Sequence, residues 1–333
     1  MNKFFKHQQS AHCETGVISS LLRHHGLNIS EPMVFGLASG MSYAYLPLIK
    51  INGFPLLSYR MPPRMIIRML CWRIKGLNIS FHKFKDSDKG MRALDRKLSA
   101  GEIVGLQTSV FFLPYFPKEM RFHFNAHNLI VFSKEGDVYK ISDPVFSHMV
   151  EADSESLKKS RFARGALAPQ GMAYYPIDVP KEIDFSVLIP KSIRLTCRLH
   201  GRWNPVPFSG VNGMRMVARK IRKLAKEEQR FARLFLGQIV RMQEEIGTGG
   251  AGFRFMYAAF LQESGEILNS NQLADVAIEM TRIGDEWREF ALLAAKLSKQ
   301  RAKHDFNDIA LQLEKVADAE LEIYNELSGF KLH

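Results

Sequence analysis

Cysteine is scarce in this chain of 333 residues. The three that occur, Cys13, Cys71 and Cys197, are odd in number and widely scattered, which excludes a disulfide framework and gives no metal-ligand spacing. No stretch reaches the roughly 20 uninterrupted apolar residues of a membrane span, and Met1 to His7 lacks the apolar core of a signal peptide. A cytoplasmic protein is therefore expected, in a reducing compartment that keeps thiols usable. Acidic residues are in deficit, 34 against 46 Lys and Arg, for a net charge of +12. The 46% hydrophobic content is enough for one large core or two ordinary ones, so two domains are expected.

What is present begins at Cys13. Ala11-His12-Cys13-Glu14-Thr15-Gly16 runs into the apolar helical stretch Val17 to Leu22, so the thiol stands at a helix N-terminus. A thiol has an ordinary pKa of about 8.5, and a helix N-terminus with an adjacent imidazole stabilises the nucleophilic thiolate. Far downstream, Ala126-His127-Asn128-Leu129-Ile130-Val131-Phe132 and Tyr139-Lys140-Ile141-Ser142-Asp143-Pro144 read as two strands joined by a turn at Lys134-Glu135-Gly136-Asp137. An antiparallel hairpin of that kind brings His127 and Asp143 together, the carboxylate fixing the tautomer and orientation of the imidazole. Cys, then His, then Asp is the papain-like order. The plainer alternative is a small buried cysteine and an ordinary sheet histidine.

The first half of the chain is mixed and the second half helical. Glu14 to His25 reads as a helix; Phe35 to Leu46 follows with Gly36, Gly40 and two tyrosines; Arg64 to Ile74 is short and apolar with regularly spaced arginines. Strand patterns run over 78–82, 103–107, 127–133 and 138–142, with a helix over 91–100 and one more strand candidate at 171–176. Residues 153–190 read as a transition. Beyond Pro205-Val206-Pro207, the segments 213–246, 253–268, 272–299 and 305–327 carry apolar residues at i, i+3 and i+4, as a helical bundle requires.

Basic residues gather at 60–75, at Arg194, Arg198 and Arg202, and along 215–233. Nucleic acid is the generic partner of such a balance, but no recognition motif supports it. Along 215–233 the cations alternate with Met216, Val217, Ile221, Leu224 and Phe231, which fits the solvated face of an amphipathic helix. Second in rank is an acidic carrier protein, attracted and oriented by Arg219, Arg222 and Lys226. The break at 247–252, with Gly249 and Gly250 ahead of Arg254, has free amides that could cradle a phosphate; on the residues alone a flexible helix-helix turn is the preferred reading.

Leu21-Leu22-Arg23-His24-His25-Gly26-Leu27, Ser30 to Gly40, Phe111-Phe112-Leu113-Pro114-Tyr115 and His123-Phe124-Asn125-Ala126-His127 resemble the N-terminal domain of the butirosin-biosynthesis BtrH family. Thr248 to Leu261 and Asp285-Glu286-Trp287 resemble the helical domain of unknown function that accompanies it. The resemblance implies an α+β fold: a papain-like, C39-peptidase-like cysteine-enzyme domain over 1–150, a transition over 151–205 whose strand completes it, and a helical domain over 206–333. It implies a catalytic Cys13, His127 and Asp143. By its named member it also implies an acyltransferase that takes an acyl or aminoacyl group from an acyl carrier protein to a small-molecule amine or hydroxyl. The phosphopantetheine belongs to the donor, and no cofactor or metal of the chain's own is implied. Gln8 or Gln9 would supply the oxyanion amide, although the spacing is slightly short of the peptidase pattern. Tyr43, Tyr45, Tyr115 and His123 are candidates for an acyl or acceptor pocket, core packing being the plainer reading. The same residues would serve a peptidase or amidase, and a binding module with an incidental Cys13 is the third reading. Apolar positions left exposed on the helical half would suit a homo-oligomer.

Overall fold

The computed structural model describes residues 5–51, 53–246, 249–300 and 305–330. In chain order the elements are α1 (Cys13–His24), α2 (Glu31–Leu37), β1 (Met41–Ile51), β2 (Phe54–Arg60), α3 (Met65–Arg73), β3 (Asn78–His82), α4 (Ser87–Ser99), β4 (Val104–Thr108), β5 (His127–Glu135), β6 (Val138–Ser142), β7 (Val150–Asp153), α5 (Ser154–Arg161) and β8 (Ala173–Asp178). The remainder is helical: α6 (Phe185–His200), α7 (Gly210–Lys223), α8 (Gln229–Val240), α9 (Arg254–Leu268), α10 (Asn271–Ser298) and α11 (Phe306–Ser328). The fold is α+β. No helix among the described residues is long and apolar enough to cross a membrane.

The chain divides into two compact units, residues 1–34 with 63–183 and residues 35–62 with 184–333. These limits differ from those expected of the sequence. Residues 35–62 form an antiparallel hairpin, β1 with β2, that belongs with the C-terminal helices. Within the segment expected as a transition whose strand completes the first domain, residues 151–183 supply most of β7 and all of α5 and β8 to the first unit. Helix α6 opens the second unit, and it continues through Pro190, a residue that reads as a helix stop.

The first unit is built on a six-stranded antiparallel sheet of order β3-β8-β4-β5-β6-β7. Alternation along β4, β5 and β6 sends Leu106, Leu129, Val131, Tyr139 and Ile141 into one core with Leu94 of α4 and Leu157 of α5. The same alternation turns Asn128 to the opposite face. The β5–β6 hairpin closes with Glu135 opposite Val138 and Gly136 at φ +59°, the left-handed conformation that glycine adopts freely. Helix α1 packs on β5 and buries Val17, Ile18, Leu21 and Leu22. Gly16 permits its close seat: a Cβ there would lie 2.4 Å from Ser10 Cβ and 3.2 Å from Pro144 Cβ.

In the second unit the segment expected as one helix from 213 to 246 is broken. α7 ends at Lys223, a 3-10 turn covers Leu224–Lys226, and α8 restarts at Gln229 before a π turn at Arg241–Glu245. The adjacent Glu227 and Glu228, both exposed, fall at the interruption. The core holds a buried ion pair: Glu320 accepts from Arg254 Nε at 2.8 Å and Nη2 at 3.1 Å, and from the Tyr324 hydroxyl at 2.7 Å. Trp287 Nε1 is a fourth donor to the same carboxylate. All of this lies at 0% side-chain exposure for the two charges. Removing one partner of such a pair leaves an uncompensated buried charge, so Glu320→Ala is expected to cost about 3–5 kcal/mol. A drop of that size in the urea-unfolding free energy checks it.

Candidate active site

Cys13 is the first residue of α1, and the turn that presents it is pinned from two sides. The Glu31 carboxylate accepts the backbone N–H groups of Ala11 (2.9 Å) and His12 (2.8 Å) and the Thr15 hydroxyl (2.8 Å). His12 is the N-cap, its ring accepting from the Thr15 N–H. Burial raises the Glu31 carboxyl, and these hydrogen bonds work against that rise. Glu14 is buried as well and accepts the Arg64 backbone N–H at 2.9 Å, a tertiary contact in place of a solvated end charge. Cys13 itself is 9% exposed, with Asn128 Nδ2 3.8 Å and the Ala126 carbonyl 4.0 Å from its sulfur.

His127 opens β5 and Asp143 follows β6, so the hairpin joins them: His127 Nε2 lies 2.7 Å from Asp143 Oδ2. That contact leaves Nδ1 to the cysteine, with which the imidazole is hydrogen-bonded in turn. Burial alone would lower the His127 pKa. The Asp143 carboxylate, and behind it the Cys13 sulfur, outweigh burial and push it up to about 10. A value raised above the ordinary 6.5 contributes stability in full below 6.5 and loses it as pH rises through 10.

Asp143 is wholly buried, and its lone pairs are used. Oδ2 accepts the Tyr115 hydroxyl at 2.8 Å besides His127, and Oδ1 accepts the Val145 N–H at 3.0 Å. Three donors compensate the loss of water around the carboxylate. Burial, and then the neighbouring carboxylate, hold Tyr115 well above the ordinary phenol range, so it remains a donor. Phe116 meets the His127 ring edge-on at 5.5 Å and Phe146 at 5.0 Å, an aromatic cover over the pair. Of the other two thiols, burial pushes Cys197 up to about 12 and raises Cys71, so both are held in the thiol form.

Cys13, His127, Asp143 and Tyr115 thus come together, Tyr115 against the carboxylate and not in a substrate pocket. Gln8 and Gln9 do not join them. The segment before Cys13 is held along the loop after β6, with His7 on Ser142 Oγ (2.7 Å) and the Phe146 carbonyl (3.0 Å), and the Ser10 N–H on the Pro144 carbonyl (2.9 Å). That course leaves both glutamines exposed. Gln8 Oε1 accepts from Arg23, and Gln9 Nε2 donates to the Val145 carbonyl at 3.0 Å. The amide beside the sulfur is instead that of Asn128, whose orientation is set by the Tyr174 hydroxyl donating to Oδ1 at 2.8 Å. A polar amide inside an apolar strand was the signal for it, because a buried amide requires partners.

The remaining candidates lie elsewhere. Tyr43 and Tyr45 are buried in the second unit, Tyr43 with its ring 5.2 Å from Tyr59 and 5.8 Å from Trp287. His123 stacks on Phe111 at 4.0 Å and lines a cavity of about 490 Å³ with Phe112, Lys158 and Arg164. Arg254 is buried against Glu320 and cannot meet a carrier. Arg222 is spent on Glu314 and Asn307, while Arg219 and Lys226 are exposed. Gly249 is exposed and Gly250 buried; Gly247 and Thr248 of the expected anion cradle lie outside the described residues.

Comparison with known families matches residues 12–144 to butirosin biosynthesis protein H, N-terminal, and residues 155–327 to a domain of unknown function (DUF4872). The chain belongs to the BtrH-like family. Among solved structures, the BtrH-like chain is similar to one described as a C39-like peptidase from Bacillus anthracis. The two are 13% identical, the match covering 54% of this chain and 96% of that one with a TM-score of 0.36. A search of curated proteins gives no match.

Proposed function

We propose that this BtrH-like protein is a cysteine acyltransferase that carries an acyl or aminoacyl group from a carrier-protein thioester to an amine or hydroxyl acceptor. The observation that carries the reading is the buried His127–Asp143 pair set against Cys13 at the first turn of α1. The Cys13 thiolate adds to the thioester carbonyl, forming an S–C bond and a tetrahedral oxyanion. The Cys13 N–H and the Asn128 amide stabilise that charge. Collapse breaks the bond to the carrier's thiol, which leaves with the proton of the His127 imidazolium. The acceptor then attacks acyl-Cys13 while His127 takes its proton, and the second collapse returns the Cys13 thiolate. One thioester replaces another in the first half, so no external energy source is required.

Transfer is favoured over hydrolysis by the poverty of water around the reacting groups. His127 is 3% exposed and Asp143 0%, with Phe116 edge-on to the imidazole. An acceptor bound over these groups would displace what little water reaches them. The net charge of +12 suits an acidic carrier, as does a family described by a biosynthetic protein.

The decisive experiment incubates the protein with an acylated carrier protein and looks for acyl-Cys13 by mass spectrometry, then adds amine acceptors. A mass increase on Cys13 that an amine discharges faster than water does is the expected result. Peptide cleavage without a trapped acyl group would mean a peptidase, and no modification would mean a binding module. The apparent KM for the carrier-bound donor should also rise with salt while that for a small thioester stays constant, since exposed charges are screened beyond roughly 10 Å at 0.1 M. Asn128→Ala, which removes one oxyanion donor, should lower kcat by about 10²–10³ with little change in KM.

A further inference from the structure

The second unit carries a cavity of about 290 Å³ that neither the family nor the proposed chemistry explains. It lies where the last turns of α6 and α11 meet, lined by Arg194, Arg198, Arg202, Trp203, Asn325 and Ser328 among others. The three arginines are exposed; Arg194 and Arg198, four apart, share one face of α6, and Arg202, past the extended Gly201 at the helix end, lines the same cavity. No carboxylate among the described residues pairs with any of them. Several other cations of the unit are matched, Arg215 with Asp318, Arg222 with Glu314, Arg282 with Glu279 and Lys315 with Glu286. The dipole of α6 rewards a cation in its last turn, which accounts for Arg198. It does not account for Arg194, a turn earlier, or for Arg202 beyond the helix end.

Beside this cluster Trp203 is 79% exposed, with the Arg202 guanidinium 5.7 Å from its ring. An indole presented to water next to three unmatched guanidiniums offers two kinds of contact at once, a flat apolar surface and a dense set of donors. Guanidiniums meet phosphate oxygens in paired hydrogen bonds. Asn325 and Ser328 add neutral polar groups at the rim. The volume lies at the lower edge of small-molecule sites, which run from about 300 Å³ upward, and suits a phosphate with one modest organic group.

We propose that this cavity binds a small organic phosphate, the phosphate held by Arg194, Arg198 and Arg202 and the organic part resting on the Trp203 indole. The cavity is built from the second unit alone and does not depend on the acyl-transfer reading. The phosphate could be that of a nucleotide or of a phosphopantetheine chain, and both are probed. Titration calorimetry on the full chain uses adenosine monophosphate, phosphopantetheine, inorganic phosphate and adenosine. Tryptophan fluorescence is followed in parallel in a Trp72→Phe background, where Trp203 is the exposed indole that remains.

The expected result is millimolar or tighter binding of at least one organic phosphate, with indole quenching, an affinity that falls as salt rises and no binding of adenosine. A tenfold preference for the nucleotide identifies a base on Trp203, and the reverse preference identifies the pantetheine chain; either supports the site. Arg194→Gln with Arg198→Gln should weaken the preferred ligand at least tenfold. These side chains are exposed, so the fold should be unchanged by circular dichroism. Trp203→Ala should weaken the organic phosphate and leave inorganic phosphate unaffected. Failure of both organic phosphates to bind at millimolar concentration, or wild-type affinity in the double arginine variant, would overturn the proposal.

Discussion

Cys13→Ala is expected to abolish acyl transfer while leaving the protein folded. The substitution removes the atom that forms the covalent intermediate, and loss of the nucleophile from a catalytic triad costs about 10⁶ in kcat. Packing loses little. Cys13 is small, and α1 is held by Val17, Ile18, Leu21 and Leu22 and by the Glu31 clamp. Urea unfolding of the variant should therefore stay close to wild type, while the acyl-protein mass shift disappears and turnover falls to background. Full activity in the alanine variant would remove Cys13 from the chemistry. Loss of activity accompanied by a large loss of stability would assign it to the core instead.

The His127–Asp143 pairing was legible in the sequence because its pieces are local. A strand beginning at His127, a Gly136 turn and a strand ending at Ser142 form a local hairpin, with one register shift between Val131 and Ser133, and it carries His127 to Asp143. The apolar run after Cys13 likewise announces its own helix. Features that depend on distant partners were not legible. The β1–β2 hairpin is stabilised by rings from far along the chain, Tyr43 and Tyr59 both packing on Trp287, so nothing local distinguishes it from a loop. The amide beside the sulfur was not legible for the same reason: Gln8 is drawn to Arg23 and Gln9 to the loop after β6, and Asn128 reaches the sulfur only after α1 has docked on β5. Arg254 reads as a surface cation after a glycine turn, and only its meeting with Glu320, 66 positions away, places it in the core.

Asp143→Asn should reduce the rate by about 10⁴ and also change its pH dependence. In the wild type Asp143 accepts from His127 Nε2, which commits Nδ1 to the cysteine and holds a positive charge on the ring. An asparagine of the same shape can present an N–H where the acceptor stood, favouring the tautomer with its proton on the wrong nitrogen, and a cost of about 10⁴ in kcat follows where a triad aspartate is so replaced. The charge matters separately. His127 is pushed up to about 10 against the effect of burial, chiefly by Asp143, so removing that carboxylate lets burial draw the imidazolium down. The alkaline limb of kcat/KM, where the imidazolium of the reactive pair is lost, should accordingly fall from near 10 toward neutrality in the variant. Tyr115→Phe removes a hydrogen bond to the same carboxylate but not its charge, so the rate should drop far less. A slow Asp143→Asn enzyme with an unmoved alkaline limb would show that Asp143 only orients the ring, and an unchanged rate would show that it does neither.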